Sequence, residues 1–403
     1  MFRTCPIGRT VFGGGGNRLI CGDALQGAWA AEYEGRARAV MCDPPFFTKA
    51  SYALRRPFGE DGWRCGRPVC TATAYDDRMS AEAYGAFLRG LAEQAKRLLM
   101  PGGLFCLHLD WRASARARLI CDEVFGERQF VNEIIWAYES GGRTQRHFPR
   151  KHDTILLYAA SLPFRFSLEK APMSVPRGRK SHLKRGVDED GRAYGSIRSG
   201  GREYRYYDDE PAFPTDVWTD ISHLQQLDPE RTGYPTQKPQ ALLERLLRPV
   251  AEPGDLVIDL CCGSGTASAV ASLLGCRFTA VDSAVSAISV TQHRLRAQNL
   301  TVDAPCEQEG AALSGTCAGG VVTLSGFRSP RFPDGAPLDA LESWTVGTLE
   351  EGVLRAQETF LRTPQNPALP QLAFLQPSAG PVGVLCVDAL GGRHGFVWED
   401  TDT

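Results

Sequence analysis

The chain has 403 residues, a formal net charge of −2, and 43% hydrophobic against 23% charged residues. That is enough to bury a substantial core in two or three domains. No apolar run approaches the length of a membrane span, and the opening "MFRTCPIGRTVFGGGG" lacks the apolar centre of a signal peptide. The 13 cysteines are scattered, mostly inside apolar runs and never as C-x-x-C. That pattern argues for buried, reduced thiols of a cytoplasmic protein, and no metal site is expected of Cys65 and Cys70, the close pair outside those runs.

In chain order, "GGGG" at Gly13–Gly16 reads as a flexible lead-in, and "NRLICGDAL" as a short strand ended by Gly22-Asp23. "RARAVMCDPPFFT" follows: Ala39, Val40, Met41 and Cys42 are apolar without alternation, which suits a strand buried on both faces of a parallel sheet. Asp43-Pro44-Pro45 stops it, because proline cannot continue a ladder and fixes its own φ. The product is a rigid corner at the carboxyl end of a strand, the edge where open α/β sheets bind ligands. Next, Tyr84, Phe87, Leu88, Leu91, Ala95, Leu98 and Leu99 share one helical face, with Ser80 as N-cap and Pro101-Gly102-Gly103 as the stop. "LFCLHLD", "NEIIWAYES" and "HDTILLYA" read as further strands.

From about Ser161 to His223 the periodicity fails. Between Gly142 and Tyr206 there are 15 basic residues against 6 acidic ones, interleaved with tyrosines, which is an electrostatic footprint for a polyanion. From Thr301 onward the balance reverses, with 5 arginines, no lysine and 13 acidic residues. Order returns at "GYPTQKPQALLERLLRPV", where Pro239 can open a helix that buries Leu242, Leu243, Leu246 and Leu247. "GDLVIDLCCGSGTASAVASLLGCRFTAVDSAVSAI" is a full βαβ unit. The last hundred residues hold short candidate strands such as "VGVLCVDALGGRHGFVWE".

Two features carry chemistry. Gly263 and Gly265 lie where strand gives way to helix, so a ligand can approach the backbone closely, and Asp282 ends the next strand, where an acid can bind a ribose diol. A nicotinamide site is disfavoured because Ser268 stands where the third glycine of G-x-G-x-x-G belongs. Combined with Asp43-Pro44-Pro45-Phe46 upstream and "TQKP" at Thr236–Pro239 between them, the arrangement resembles the amino-directed DNA methyltransferases. It is most similar to the permuted β group that includes type III modification subunits, and the resemblance spans roughly Asn17 to Asn299, with weaker stretches at "GDAL", "LLMPGG" and "DVWTD".

The resemblance implies a circularly permuted, Rossmann-like mixed α/β sheet. Residues 17–160 would be a catalytic half, 161–230 a target-recognition insert, 231–300 a cofactor half and 301–403 an acidic extension of unassigned role. It implies S-adenosylmethionine as cofactor and a base flipped out of duplex DNA as substrate. Asp43 and the Pro44 carbonyl would accept from the exocyclic amine, Pro45 would stiffen the corner and Phe46 would stack on the base. Asp23 would meet the adenine ring of the cofactor, Gly263 and Gly265 its amino-acid portion, Asp282 its ribose, and Thr236 and Lys238 its carboxylate. Asp259 would support the glycine loop. Cys261 departs from the family's usual phenylalanine, which puts packing around the cofactor in doubt.

Adenine N6 is the expected target, since Asp heads the corner motif, with cytosine N4 the alternative. A catalytically idle DNA-binding regulator and methyl transfer to RNA or a protein amide are the readings from other classes. In the insert, Arg177, Arg179, Lys180, Lys184, Arg185, Arg198, Arg202 and Arg205 are the candidate DNA contacts, and Tyr194, Tyr204, Tyr206 and Tyr207 are read as packing. None of the 7 histidines stands in a recognisable catalytic arrangement. A separate restriction subunit and a homodimer are family expectations, and no membrane partner is expected.

Overall fold

The computed structural model describes residues 1–139, 144–171, 183–210, 213–296, 299–307, 310–332, 338–378 and 380–399. Arg177, Arg179 and Lys180 lie outside them. The centre is a run of six parallel strands in the order Leu300–Asp303, Asn17–Cys21, Arg277–Asp282, Leu256–Asp259, Ala37–Cys42 and Leu99–Leu109. His152–Ala159 then joins antiparallel, followed by Phe130–Ala137 and the short Val217–Trp218. This is a Rossmann-like mixed sheet.

Successive residues of the central strands serve opposite layers, as the pleat requires. Ala39 and Met41 pack with the helices Gln240–Leu247 and Thr266–Leu273, whereas Val40 and Cys42 pack with Ala81–Leu98 and Ser114–Phe125. The expected helix is Ala81–Leu98: the Ser80 hydroxyl accepts from the Ala83 amide at 3.1 Å, and Tyr84, Leu88, Leu91, Ala95 and Leu98 are buried. It ends before Pro101, because the next strand begins at once at Leu99. Pro239 caps its short helix as expected, with all four predicted leucines buried.

One expectation about the chain's flanks needs correction. Residues 13–16 are not a lead-in, because Arg9–Phe12 before them is itself a strand of the sheet, antiparallel to Leu300–Asp303. The glycines are a turn inside the sheet. Beyond Arg9–Phe12 the sheet continues through Val353–Leu361, Leu341–Glu350, Val382–Asp388, Arg393–Trp398 and Phe2–Thr4, so the acidic extension is fused edgewise to the central strands. A second sheet of Ala312–Ala318, Val321–Arg328 and Leu372–Phe374 covers it over a core of Trp344, Val346, Leu324 and Phe396.

Among the described residues, the basic part of the insert forms a small antiparallel sheet of Lys184–Val187, Ala193–Ser199 and Arg202–Tyr207. Most of that sheet is exposed.

Candidate active site

Because the central strands are parallel, their carboxyl ends share one edge of the sheet. Asp23, Asp282, Asp259, Asp43 and Asp110 each end or directly follow one of five adjacent strands there. The chain order reverses between the strands ending at Asp259 and Cys42, and ligand crevices of open α/β sheets form at such a switch point. A cavity of about 280 Å³ opens at that place, lined by residues from both halves of the chain.

The Asp-Pro-Pro-Phe corner forms one wall. The Tyr84 hydroxyl donates to the Pro45 carbonyl at 2.7 Å, which pins the corner to the helix below and leaves the Pro44 carbonyl as a further acceptor. Phe47 and Lys49 then adopt φ of 60°, a conformation that costs non-glycine residues on the order of 1–3 kcal/mol. Buried Asp77 offsets that cost by accepting from the Thr48 amide and hydroxyl, both at 2.8 Å, while the Phe47 ring stacks on Tyr84 with centroids 5.0 Å apart.

The Asp43 carboxylate is held asymmetrically. Its Oδ2 accepts from the Lys238 ammonium at 2.6 Å, whereas Oδ1 has no hydrogen-bond donor and faces His108 Nδ1 at 3.5 Å, beyond a good bond. His108 is itself anchored through Nε2 to Asp153 Oδ2 at 3.1 Å, and the Tyr138 hydroxyl donates to the other Asp153 oxygen at 3.0 Å. Burial alone would raise Asp153, but the bond to and charge of His108, with Lys238 nearby, hold it below its ordinary value. The Phe46 ring lies 5.6 Å from the His108 ring and carries the Lys238 ammonium 4.9 Å over its face.

The glycine turn forms the opposite wall. Gly263 and Gly265 have φ of +48° and +73°. A Cβ on Gly265 would come within 2.5 Å of the Thr291 side chain, and one on Gly263 within 3.2 Å of the Tyr234 ring, so neither position tolerates a side chain. Asp282 accepts from the Gly263 amide and the Ala284 amide, both at 2.9 Å, and burial raises its pKa against those bonds. Asp259 accepts from the Cys261 amide at 3.2 Å, and burial pushes it up to about 8. It braces the turn, as expected. The Cys261 thiol meets Cys42 with the sulfurs 3.9 Å apart, so a small side chain fills the space where the family usually has a ring.

The remaining predicted positions line the same cavity. Asp23 accepts from the Leu25 amide at 2.8 Å, the local cap its sequence suggests, and is exposed towards the opening. Thr236 sits at φ 57° with its hydroxyl 3.2 Å from that of Tyr75. Lys238, expected on a cofactor carboxylate, donates to Asp43 and so links the two walls.

Sequence reasoning missed His108 and Asp153. The available signal was a histidine in an otherwise unbroken apolar strand, "LFCLHL", where only a partnered imidazole survives burial. It also missed Tyr234 and Tyr75, whose rings stack 6.4 Å apart behind the glycine turn.

Among the described residues, none of the insert's candidate DNA contacts lines this cavity. Arg185 pairs with Asp208, Arg205 with Glu203 at 3.3 Å, and the Arg205 guanidinium lies 4.6 Å over Tyr194. Lys184, Arg198 and Arg202 are exposed along the same small sheet. Of the tyrosines read as packing, Tyr194 and Tyr207 do form an edge-to-face pair, but Tyr204 is 47% exposed and Tyr206 36%.

The cavity's donor set fits S-adenosylmethionine: a carboxylate at the end of the second strand for a diol, two glycines where the chain must come close, and apolar walls between. A family model described as DNA methylase matches residues 37–292. The Type II methyltransferase M.HpaI of Haemophilus parainfluenzae is 25% identical over 279 residues, covering 69% of this chain and 74% of that protein. The DNA adenine methyltransferase YhdJ of Escherichia coli is 27% identical over 157 residues, or 38% of this chain and 47% of that one. Among solved structures, the cytosine-N4-specific PvuII DNA methyltransferase covers 72% of this chain and 89% of its own, with a TM-score of 0.47 and 14% identity. By the match over residues 37–292, which takes in both walls of the cavity, the chain belongs to the N6/N4 DNA methylase family.

Proposed function

We propose that this DNA methyltransferase acts on the exocyclic N6 of adenine in a base rotated out of duplex DNA, using S-adenosylmethionine. The observation that carries the reading is the asymmetric hold on Asp43, with one oxygen engaged by Lys238 and the other buried without a hydrogen-bond donor beside His108. An exocyclic amine is a poor nucleophile because its lone pair is delocalised into the ring. Asp43 Oδ1 and the Pro44 carbonyl, accepting its two N–H bonds, would draw the nitrogen towards a tetrahedral geometry and free that pair.

Bound S-adenosylmethionine supplies an electrophilic methyl group. Lys238 holds Asp43 in orientation, so the carboxylate acts first as an acceptor and only then as a route for the departing proton. Phe46 offers a face for the extruded ring. His108, fixed by Asp153, limits the rotation of Asp43 and is a positioning residue. A charge-assisted hydrogen bond contributes roughly 1.5–3 kcal/mol, about 10–100-fold in rate if felt only in the transition state. The larger share comes from holding amine and methyl in line.

The common cavity lined by Asp23, Thr236, Gly263 and Asp282, with Gly265 in the same turn, supports their cofactor roles, and the bond from the Cys261 amide supports a bracing role for Asp259. Cytosine N4 is the alternative target, since it would use the same corner. The permuted β-group assignment, with its restriction subunit and homodimer, belongs to this proposal as well. Incubation with S-adenosylmethionine and mixed-sequence duplex DNA, followed by nucleoside mass spectrometry, decides the target. N6-methyladenine that is absent with Asp43→Ala is the expected result. N4-methylcytosine would overturn the base and keep the mechanism, and no methylated base at all would overturn both.

A further inference from the structure

Two large apolar side chains among the described residues are more than nine-tenths exposed: Phe148 at 94% and Leu227 at 95%. Their surroundings differ. Leu227 is followed by Asp228 and Glu230, whereas Phe148 lies in "TQRHFPRK", Thr144–Lys151, which carries Arg146, Arg150 and Lys151 and no acid. Gln145 to Arg150 are all exposed.

The topology fixes where this segment stands. Phe130–Ala137 is antiparallel to His152–Ala159, which is antiparallel to Leu99–Leu109, itself parallel to Ala37–Cys42. The end of the first strand and the start of the second therefore lie at the same sheet edge as Asp43. The Tyr138 amide donates to the Lys151 carbonyl at 3.0 Å, closing the base of the loop, and Tyr138 and Asp153 on either side of that closure belong to the chain of contacts that reaches Asp43 through His108. The loop is also tied sideways: the Arg150 guanidinium stacks 3.8 Å over the ring of Trp111, which follows Asp110 at the same edge and is 41% exposed.

An exposed phenylalanine flanked by cations, above a corner that needs its base outside the duplex, has the chemistry of a wedge. Arg146, Arg150 and Lys151 would engage phosphates, while the ring would enter the base stack, where apolar side chains unstack and hold open a step. Resting on the reading of this site as one for a flipped base, we propose that the Thr144–Lys151 loop enters duplex DNA beside the target and that Phe148 occupies the space the extruded base leaves.

Phe148→Trp reads insertion directly, because nothing in the fold depends on so exposed a ring. Titrated with mixed-sequence duplex DNA, this variant should show fluorescence quenching beyond that of the wild-type protein, saturating with binding. Equal quenching in the two proteins at saturating DNA would overturn the proposal. In methyl transfer, Phe148→Ala should be slower on duplex by about tenfold or more, since the stack must then open unaided, and Phe148→Trp should stay within about threefold of wild type. Wild-type rates for Phe148→Ala, or a loss that appears only as weaker binding, would also overturn it. If the wild-type protein methylates no DNA, the proposed function fails, yet the quenching still decides insertion.

Discussion

The catalytic corner and the basic insert are built by opposite means. The corner residues Asp43 to Phe46 rest on a strand buried on both faces, and the groups around them are held: Asp43 Oδ2 by Lys238, His108 by Asp153, the Pro45 carbonyl by Tyr84. The basic part of the insert, among the described residues, is a three-stranded sheet in which Arg192 pairs with Asp209 at 2.8 Å and whose side chains are mostly exposed. Rigidity is concentrated where atoms must meet within fractions of an ångström. The surface suited to meeting phosphates can yield, and its charge acts at longer range.

The comparison can be broken most forcefully at the corner. Asp43→Ala should remove methyl transfer by about 100-fold or more while leaving the melting temperature near wild type, because the loss falls on the transition state rather than the fold. A rate within threefold of wild type, measured by incorporation of labelled methyl groups into DNA, would mean the corner is not the chemical centre. Gly265→Ala comes next: the clash with Thr291 and the φ of +73° should cost on the order of 1–3 kcal/mol and weaken cofactor binding about tenfold or more by calorimetry. Third, His108→Ala should lower kcat about tenfold with KM nearly unchanged and alter the pH profile of kcat. A conservative His108→Asn should recover part of the rate if the role is positioning.

A smaller effect concerns pH. Folded Asp259 holds its proton to about pH 8, against an ordinary value near 4, so the stability this linkage gives is full in acid and lost as pH rises through about 8. Asp259→Asn, which can still accept from the Cys261 amide, should flatten the fall in melting temperature between pH 5 and 8. The two proteins should differ least at pH 4. The smallest effect belongs to the insert. Arg198→Ala and Arg202→Ala should leave melting and kcat unchanged but reduce the salt dependence of DNA binding by about one unit of slope per lost phosphate contact. A change in melting temperature there would mean the insert is structurally coupled to the core.

Much of this was legible in the sequence because it is local. Proline after an apolar strand, glycines between strand and helix, and Ser80 before an amphipathic run each state their geometry within a few residues. What was not legible is what distant strands bring together. His108, Asp153 and Lys238 come from three separate elements, and only strand pairing puts them around Asp43. The same holds for the flanks: nothing near Gly13–Gly16 signals that Arg9–Phe12 pairs with Val353–Leu361, because a strand's partner is a property of the whole sheet.

That pairing has a consequence for synthesis. The strand Phe2–Thr4 hydrogen-bonds to Arg393–Trp398, so a strand made early finds its partner only after the intervening chain has been made. The central methylase strands can close on one another well before then, but the outer half of the sheet must wait with its edges unpaired. During that interval Arg9–Phe12 and the strands beside it are open to pairing with other chains. The nascent protein therefore gains its chemistry early and its protection from aggregation late, and slowing translation near residue 380 would prolong the exposed state without touching the active site.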